Sequence, residues 1–379
     1  MRRLFTASMA ATLSLLINLA APAMAADCQN WPDWNKFRSS FINEGGRVID
    51  PSTPDGQTTS EGQSYGLFFA LIANDTKSFE RILSWTEKNL AAGDLTARLP
   101  AWQWGKKSDG DWGVIDNNSA SDADLWIAYT LIEAGRLWKN PKYNAIGELL
   151  AERIMREETA QIPELGLTLL PSSKGFRPQD DTVRLNPSYL PIQIMRRMAV
   201  LHPQSGWQQL TASSIETIIR SSPRGFAPDW VVYQNKLGFQ TDADTKGMGG
   251  FDAIRVYLWA GMLSDNEPIR SVFIKTFAPM VRQIEINGAP PLEIHTQQST
   301  ANGVGSAGFS ASLLPLLMAS NKPKLVLQQR LRIEAKSPMD LADNYYDQAL
   351  TLFGLGWVDN HYHFDGNGAL HIRWSCTEK

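Results

Sequence analysis

Three carboxylates in this 379-residue chain stand where they could perform acid–base chemistry: Glu61, Asp122 and Asp252. Each lies at the junction between a polar stretch and an apolar segment that predicts a buried helix. A carboxylate in the first turn of a helix also interacts favourably with the helix dipole, by about 0.3–1 kcal/mol. Helix capping is therefore the alternative explanation for each of them taken singly.

Proximity of the three carboxylates would change their chemistry. A helix N-terminus lowers the pKa of a carboxylic acid, whereas a general acid working at neutral pH needs a raised pKa. If three buried helices bring Glu61, Asp122 and Asp252 to one mouth, mutual repulsion raises the pKa of one of them. The pattern thus predicts a site for acid–base chemistry.

Tryptophans in a polar connection indicate the kind of substrate. Trp102, Trp104 and Trp112 precede Asp122 outside any predicted helix. The apolar faces of sugar rings stack on such aromatic planes, which favours a sugar polymer as substrate; plugging one end of the fold is the alternative. Four other tryptophans are assigned to packing: Trp31, Trp34, Trp126 and Trp259.

The elements that must position these residues are helices of two alternating kinds. Segments that are apolar nearly all round predict buried helices, and one-sided apolar stripes predict surface helices. The buried set is Gly62–Ala73, Asp122–Ala134, Ser188–Val200, Asp252–Leu263, Gly308–Ala319 and Asn344–Leu355. The amphipathic set is Asp33–Ile42, Lys77–Leu90, Lys142–Arg156, Ser205–Ser221, Ile269–Ile284 and Lys322–Ile333. This alternation predicts an all-α fold, an (α/α)6 barrel of six inner and six outer helices with minor β-structure in the loops.

Long polar connections run from the outer helices into the next inner ones. They are Asn43–Ser60, Leu99–Ser119, Leu165–Pro187, Gly225–Gly250 and Asn287–Ser306. Because all run in the same direction, we expect them at the end of the barrel where the inner helices begin. Long loops in compact folds often carry function, so the cleft is expected there.

The N-terminus predicts export. Residues 1–25 have the pattern of a signal peptide, with Arg2 and Arg3 before a short apolar core and a small-residue cleavage site at Ala23-Met24-Ala25. The core is too short to span a membrane, so we expect a periplasmic or secreted protein without membrane insertion after processing. Residues 26–379 lack a recognisable linker and are expected to form a single catalytic domain.

Cys28 and Cys376 are the only cysteines. In an exported protein such a pair predicts a disulfide, which here would join the two ends of the mature chain. Two unpaired thiols, or a lipid anchor on Cys28, are the alternatives.

Composition and motifs exclude several classes of function. The net charge of −3 argues against nucleic acid, whose binding depends on clustered basic residues. His361 and His363 form the only close histidine pair, and no third ligand is evident, so no metal site is predicted. Neither a serine-nucleophile elbow nor a nucleotide-binding loop after a strand is present, so no cofactor is expected.

Several ordered segments resemble glycoside hydrolase family 8. Ala120-Ser121-Asp122-Ala123-Asp124 looks like the signature segment of that family, and Ser60-Glu61-Gly62-Gln63-Ser64-Tyr65-Gly66 and Phe251-Asp252-Ala253-Ile254-Arg255 resemble two further blocks. The likeness covers the whole mature chain. It is strongest to the periplasmic endo-β-1,4-glucanases of bacterial cellulose synthesis, through Asn186–Pro191 and Ala101–Lys107.

The resemblance implies an (α/α)6 barrel and hydrolysis with inversion of configuration. It assigns Glu61 as the general acid and Asp252 as the general base that activates water. Asp122 would hold the sugar at the cleavage point. Inverting chemistry needs the acid and base about 6.5–9.5 Å apart, which leaves room for the water.

Further residues are expected to contact the substrate or support the carboxylates. Arg255 lies about one helical turn after Asp252 and is placed to pair with a carboxylate. Tyr189 is expected to contact sugar or base, and Asp124 of the signature segment is assigned to substrate binding with Trp102 and Trp104. One alternative remains for the base, because Asp242 or Asp244 in the Gly225–Gly250 connection could replace Asp252.

These observations together predict a metal-independent endoglucanase that cuts internal β-1,4 bonds of cellulose and works as a monomer, with a cellulose synthase complex as the candidate partner. Another β-glycan, such as xylan, chitosan or mixed-linkage glucan, is the alternative substrate. A non-catalytic glycan-binding accessory protein is the alternative from another class. A polysaccharide lyase would require a basic cleft, which the acidic balance does not suggest.

Overall fold

The computed structural model describes residues 31–340 and 344–374. The signal-peptide segment and both cysteines lie outside these residues, so cleavage after Ala25 and a Cys28–Cys376 disulfide stay predictions. Among the described residues, none of the helices combines the length and apolarity needed to span a bilayer.

Thirteen α-helices form the framework of the described chain. In chain order they are α1 (Pro32–Phe41), α2 (Ser60–Ile72), α3 (Thr76–Leu90), α4 (Ser121–Leu137), α5 (Pro141–Glu157), α6 (Ile192–Leu201), α7 (Trp207–Arg220), α8 (Ile254–Gly261), α9 (Arg270–Thr276), α10 (Ala278–Asn287), α11 (Ala307–Ala319), α12 (Pro323–Lys336) and α13 (Tyr345–Val358). Short 3₁₀ turns occupy Pro187–Tyr189 and Pro338–Asp340.

The helices form the predicted (α/α)6 barrel. The inner ring is α2, α4, α6, α8, α11 and α13, and each member packs beside the next. The outer ring is α1, α3, α5, α7, the α9–α10 pair and α12. The difference between the rings follows from the sequence: α2 buries every residue except Glu61, whereas α3 buries one amphipathic stripe.

Aromatic side chains fill the centre of the barrel and close the inner ring. Trp126 of α4 packs against Phe68 of α2 with ring centroids 4.7 Å apart, and against Trp259 of α8 at 5.2 Å. Phe353 of α13 contacts Phe69 of α2 at 4.7 Å, which joins the last inner helix to the first. The assignment of Trp126 and Trp259 to the core is confirmed, since both are almost fully buried.

Short strands decorate the loops, as expected. They are β1 (Thr58–Thr59), β2 (Gln103–Lys106), β3 (Trp112–Asp116), β4 (Thr159–Ile162), β5 (Gly166–Leu169), β6 (Thr182–Leu185), β7 (Val231–Gln234), β8 (Gly238–Thr241), β9 (Met248–Gly249), β10 (Glu293–His295), β11 (Thr300–Asn302), β12 (Tyr362–Phe364) and β13 (Leu370–Ile372). They pair antiparallel as β1-β2-β3, β4-β5, β6-β7-β8, β9-β10-β11 and β12-β13. Strands β1 to β11 all lie in connections that enter inner helices.

Three of the predicted helices differ from the structure in a way that their own sequence explains. Helix α6 begins at Ile192 rather than Ser188, because Pro191 disfavours helical geometry at the residue before it. Helix α8 begins at Ile254, so Asp252 lies in the preceding turn. The predicted outer helix Ile269–Ile284 is divided at Phe277, because Pro279 lacks an N–H and starts a new helix.

Glycines allow α11 to approach its neighbours closely. A Cβ added at Gly354 of α13 would lie 2.0 Å from the carbonyl oxygen of Ala311, and one at Gly261 of α8 would lie 2.2 Å from the amide nitrogen of Leu316. The obstructing atoms are backbone, which cannot move aside as a flexible side chain can. The inner ring therefore depends on these glycines for its packing.

Gly354→Ala should reduce the free energy of unfolding by about 1–3 kcal/mol, the usual effect of overpacking a rigid core. Gly66→Ala is the matched control, because a Cβ there would meet only side-chain atoms, the nearest at 3.0 Å. The control should change stability little or raise it slightly, since alanine favours helix. Equal urea unfolding curves for the Gly354 variant and the wild type would contradict this packing argument.

Candidate active site

A cavity of about 470 Å³ opens at the end of the barrel where the inner helices begin. It is lined by Asp50, Thr59, Glu61, Tyr65, Trp102, Tyr189, Trp230, Phe251, Asp252, Arg255, Tyr345 and Tyr346. A second cavity of about 150 Å³ shares Trp102, Tyr189 and Trp230 with the first, so the two form one groove. This groove lies among the long connections, where the sequence analysis expects the cleft.

Glu61 is the second residue of α2 and faces the cleft. It does not cap its helix, because the Thr59 hydroxyl accepts the hydrogen bond of the Gly62 N–H at 3.2 Å. Instead its Oε1 accepts from the indole Nε1 of Trp102 at 3.2 Å. The carboxyl group is therefore oriented by a side chain of the connection before α4.

Burial raises the pKa of Glu61, and the negative charge of Asp252 adds to this effect. Three interactions lower the pKa of Glu61. They are the hydrogen bond from its own backbone N–H to its carboxylate, the positive charge of Arg255, and the hydrogen bond from Trp102. The raised pKa agrees with the expectation from the sequence. Its main cause is different, since removal from water outweighs repulsion between the carboxylates.

Asp122 lies below the cleft floor in the first turn of α4. It is 2% exposed, and its Oδ2 faces Nη1 of Arg255 at 3.4 Å. Burial, followed by the charge of Glu61, raises the pKa of Asp122 to about 8. Asp122 does not line the cavity, so its direct contact with a sugar stays a prediction.

Asp252 occupies the turn before α8 at the cleft wall. Its Oδ1 accepts a hydrogen bond from Nη2 of Arg255 at 2.8 Å, and its side chain remains 32% exposed. Arg255 also donates to the hydroxyl groups of Tyr65 at 3.1 Å and Ser188 at 3.0 Å. The predicted pairing of Arg255 with a carboxylate is thus confirmed, with Asp122 and Asp252 as partners.

The aromatic residues predicted to bind substrate separate into two places. Trp102 and Tyr189 line the groove. Trp104, in β2, instead packs against Trp85 and Trp112 at 5.3 and 5.4 Å, with the Arg47 guanidinium 4.5 Å from its ring centre. Trp104 is not among the residues that line either cavity, and a sugar contact there stays a prediction.

Asp124 lies outside the lining of the groove. Its side chain has no exposed surface and lies beside the carboxyl group of Glu158, whose Oε1 accepts from Ser119 at 2.5 Å. Burial raises the pKa of Asp124 well above its usual value, and the charge of Glu158 contributes. Asp124 does not line the groove, so its contact with a sugar stays a prediction.

The alternative base residues lie outside the cleft lining. Asp242 is 3% exposed, and Arg184 holds both of its oxygens, at 2.8 and 3.1 Å. The side chain of Asp244 is 83% exposed and also faces Arg184. Neither carboxylate lines the groove, which favours Asp252.

Seven residues that line the larger cavity were not assigned to the site by the sequence analysis: Asp50, Thr59, Tyr65, Trp230, Phe251, Tyr345 and Tyr346. Trp230 stacks on Phe176 at 5.5 Å and contacts the Tyr189 ring edge-on at 6.0 Å. The sequence held a signal for Trp230, because it is a tryptophan within the long Gly225–Gly250 connection. Phe251 is 55% exposed beside Asp252, and such exposure of a large apolar side chain cannot be read from sequence.

Metal ligation has no evident location in the described residues. Within residues 31–340 and 344–374, no group of three or more His, Cys, Asp or Glu side chains could hold an ion. His361 stacks on Trp31 at 4.9 Å, and His363 stacks on His371 at the same distance. Both imidazoles of the predicted pair thus take part in ring packing.

A helical barrel whose inner helices deliver carboxyl groups to an aromatic groove is the architecture of a barrel-type glycoside hydrolase. The chain belongs to glycosyl hydrolases family 8, whose sequence pattern matches residues 5–360. The resemblance noted from the sequence motifs is therefore confirmed, and the protein is a glycoside hydrolase.

Known relatives match over nearly the full chain. An endoglucanase of Escherichia coli strain K12 is 43% identical over 359 residues, 95% of either chain. The crystal structure of endo-1,4-D-glucanase from Vibrio fischeri ES114 is 45% identical with a TM-score of 0.88, covering 91% of this chain and 99% of that chain. The endo-β-1,4-glucanase of Acetobacter xylinum is 26% identical with a TM-score of 0.69, covering 86% and 96%.

Asp122→Asn should become more stable relative to the wild type as the pH rises from about 4 to about 8. The unfolded chain loses the Asp122 proton near pH 4, whereas the folded protein keeps it until about pH 8. The contribution of this proton is complete below pH 4 and is lost as the pH passes through the folded-state pKa. Urea unfolding at pH 4.5 and pH 8 measures the difference, and an unchanged difference would contradict the raised pKa.

Proposed function

We propose that this protein is an endo-β-1,4-glucanase that hydrolyses internal bonds of cellulose with inversion of configuration. The observation that carries the proposal is that Glu61 and Asp252 open into one groove lined by aromatic side chains. The likeness to proteins named as endoglucanases, at 43–45% identity over nearly the whole chain, supports the substrate class.

Glu61 acts as the general acid that protonates the glycosidic oxygen. A carboxylic acid can donate only while it holds its proton, and burial raises the pKa of Glu61 toward the working pH. The Trp102 indole fixes one carboxyl oxygen at 3.2 Å. The proton is therefore offered from a defined position at the cleft floor.

Asp252 acts as the general base that takes a proton from the attacking water. Arg255 fixes its Oδ1, and the 32% exposure of the side chain leaves space for a water molecule. In the proposed reaction the water attacks the anomeric carbon from the face opposite the leaving oxygen. One displacement then inverts the configuration.

Asp122 and Arg255 support the reacting pair from below. Arg255 contacts both Asp122 and Asp252, so it fixes the position of the Asp252 carboxylate relative to Asp122. Asp122 holds the sugar at the cleavage point, either directly on substrate binding or through the residues above it. Trp102, Tyr189 and Trp230 provide the apolar surfaces against which sugar rings pack.

The cellular setting is part of the same proposal. The N-terminal pattern supports export to the periplasm or beyond after cleavage of residues 1–25. Residues 26–379 then form one catalytic domain that works as a monomer on cellulose, without nucleic acid and without membrane insertion. Association with a cellulose synthase complex would place the enzyme beside newly made polymer.

Glu61→Gln should lower kcat on carboxymethyl cellulose by about 100- to 10,000-fold, because glutamine cannot donate the proton. The wild type should cause a rapid fall in viscosity with slow release of reducing ends, and added chelator should not change this. Glu152→Gln, an exposed position on α5, is the matched control. A folded Glu61→Gln protein with near-normal turnover would disprove the assignment of the acid.

The first product of cellopentaose hydrolysis should carry the α-anomeric configuration. An inverting enzyme converts the β-linkage directly, and the β-anomer accumulates only later through spontaneous mutarotation. Proton NMR in the first minutes of the reaction distinguishes the two anomers. An initial β-product would show retention and would require a different role for Asp252.

A further inference from the structure

Helix α8, which follows Asp252, begins without a capping side chain of its own. Its N-cap residue is Ala253, which has no side-chain hydrogen-bonding group. The first N–H groups of a helix have no partners within the helix, and replacing a capping side chain by alanine costs about 0.5–2 kcal/mol. The turn that carries Asp252 must therefore be stabilised from elsewhere in the chain.

Asp229, more than twenty residues earlier, provides this stabilisation. Its Oδ1 accepts hydrogen bonds from the backbone N–H groups of Gly250 at 2.8 Å, Asp252 at 3.1 Å and Ala253 at 2.8 Å. Three donors converging on one oxygen leave the turn little freedom. One of these donors is the backbone N–H of Asp252, the residue whose side chain faces the cleft.

The segment that carries Asp229 is itself held from two sides. The backbone N–H of Asp229 donates to the carbonyl of Met248 at 2.9 Å, and that of Ala227 donates to the Tyr257 hydroxyl of α8 at 2.9 Å. A Cβ at Gly249 would lie 2.1 Å from the Ala227 carbonyl oxygen, so glycine permits this close approach. The backbone position of Asp229 is thus fixed by its neighbours.

We propose that Asp229 is a positioning residue for hydrolysis, holding the turn of residues 250–253 so that the Asp252 carboxylate meets the attacking water. Asp252 is then held twice, by Asp229 at its backbone and by Arg255 at its side chain. The inference rests on the proposed role of Asp252 as the base. A displacement of about 1 Å at a reacting group can reduce a rate by about 100-fold.

Three substitutions separate geometry from charge. Asp229→Asn keeps an oxygen that accepts the same three hydrogen bonds, so kcat should stay within about 5-fold of the wild type. Asp229→Glu keeps the charge but moves the oxygen by one methylene, and Asp229→Ala removes the acceptor. Both should lower kcat by about 10- to 100-fold while KM on cellopentaose changes less than about 3-fold.

The matched control is Asp75→Ala. Asp75 caps the outer helix α3 through Ser78 N at 3.0 Å and also accepts from the Trp34 indole at 3.2 Å, far from the cleft lining. Its replacement should lower the thermal unfolding temperature without changing kcat. If Asp229→Ala and Asp75→Ala lose similar stability and also show similar kcat values, the effect of Asp229 is one of stability alone, and the proposal is overturned.

Asp252→Asn, measured in parallel, distinguishes failure of this inference from failure of the proposed function. If Asp252→Asn is inactive while folded Asp229→Ala has normal kcat, the positioning role is wrong and the base assignment stands. If Asp252→Asn turns over normally, the base assignment itself fails. Should Asp229→Ala not fold, the Asn and Glu variants decide, and equal kcat values for the two would overturn the positioning role.

Discussion

The buried guanidinium of Arg255 is the interaction on which the cleft depends. It donates hydrogen bonds to Tyr65, Asp122, Ser188 and Asp252, and these come from α2, α4, the 3₁₀ turn before α6 and the turn before α8. A buried cation that is left without a carboxylate partner in a medium of low dielectric typically costs about 3–5 kcal/mol. One side chain therefore fixes the relative positions of four elements of the inner ring.

The same cation explains how neighbouring acids come to differ. Arg255 supplies one positive charge to a region that holds Glu61, Asp122 and Asp252, so the three carboxyl groups cannot all ionise without a surplus of negative charge. The group that meets Arg255 closely and reaches water, Asp252, is 32% exposed. Burial raises the pKa of the other two. Similar side chains thus come to have different surroundings because their contact with water differs, which fits the proposed roles of acid and base.

The sequence was sufficient for features that are local in the chain. The alternation of buried and amphipathic helices is a pattern of neighbouring residues, and the site carboxylates are recognisable because each stands in the first turn of an inner helix or just before it. Asp122 meets Arg255 whereas Asp124 lies beside Glu158, because residues two apart on a helix point about 200° away from each other. Trp230 and Asp229 were missed because the pairing of loop backbones, not a motif, brings them to the cleft.

The division between helix and loop also fits the chemistry. As the proposed acid, Glu61 would have to deliver its proton from a constant position, and it stands in the first turn of a helix that is buried on all sides. In an inverting hydrolase the acid and base carboxyl groups lie about 6.5–9.5 Å apart, so that water fits between base and sugar. Because Asp252 precedes α8 rather than belonging to it, the position of its backbone is set by contacts with another loop. In the proposed reaction, a rigid helix would thus define where the proton is given, and a supported turn would define where it is received.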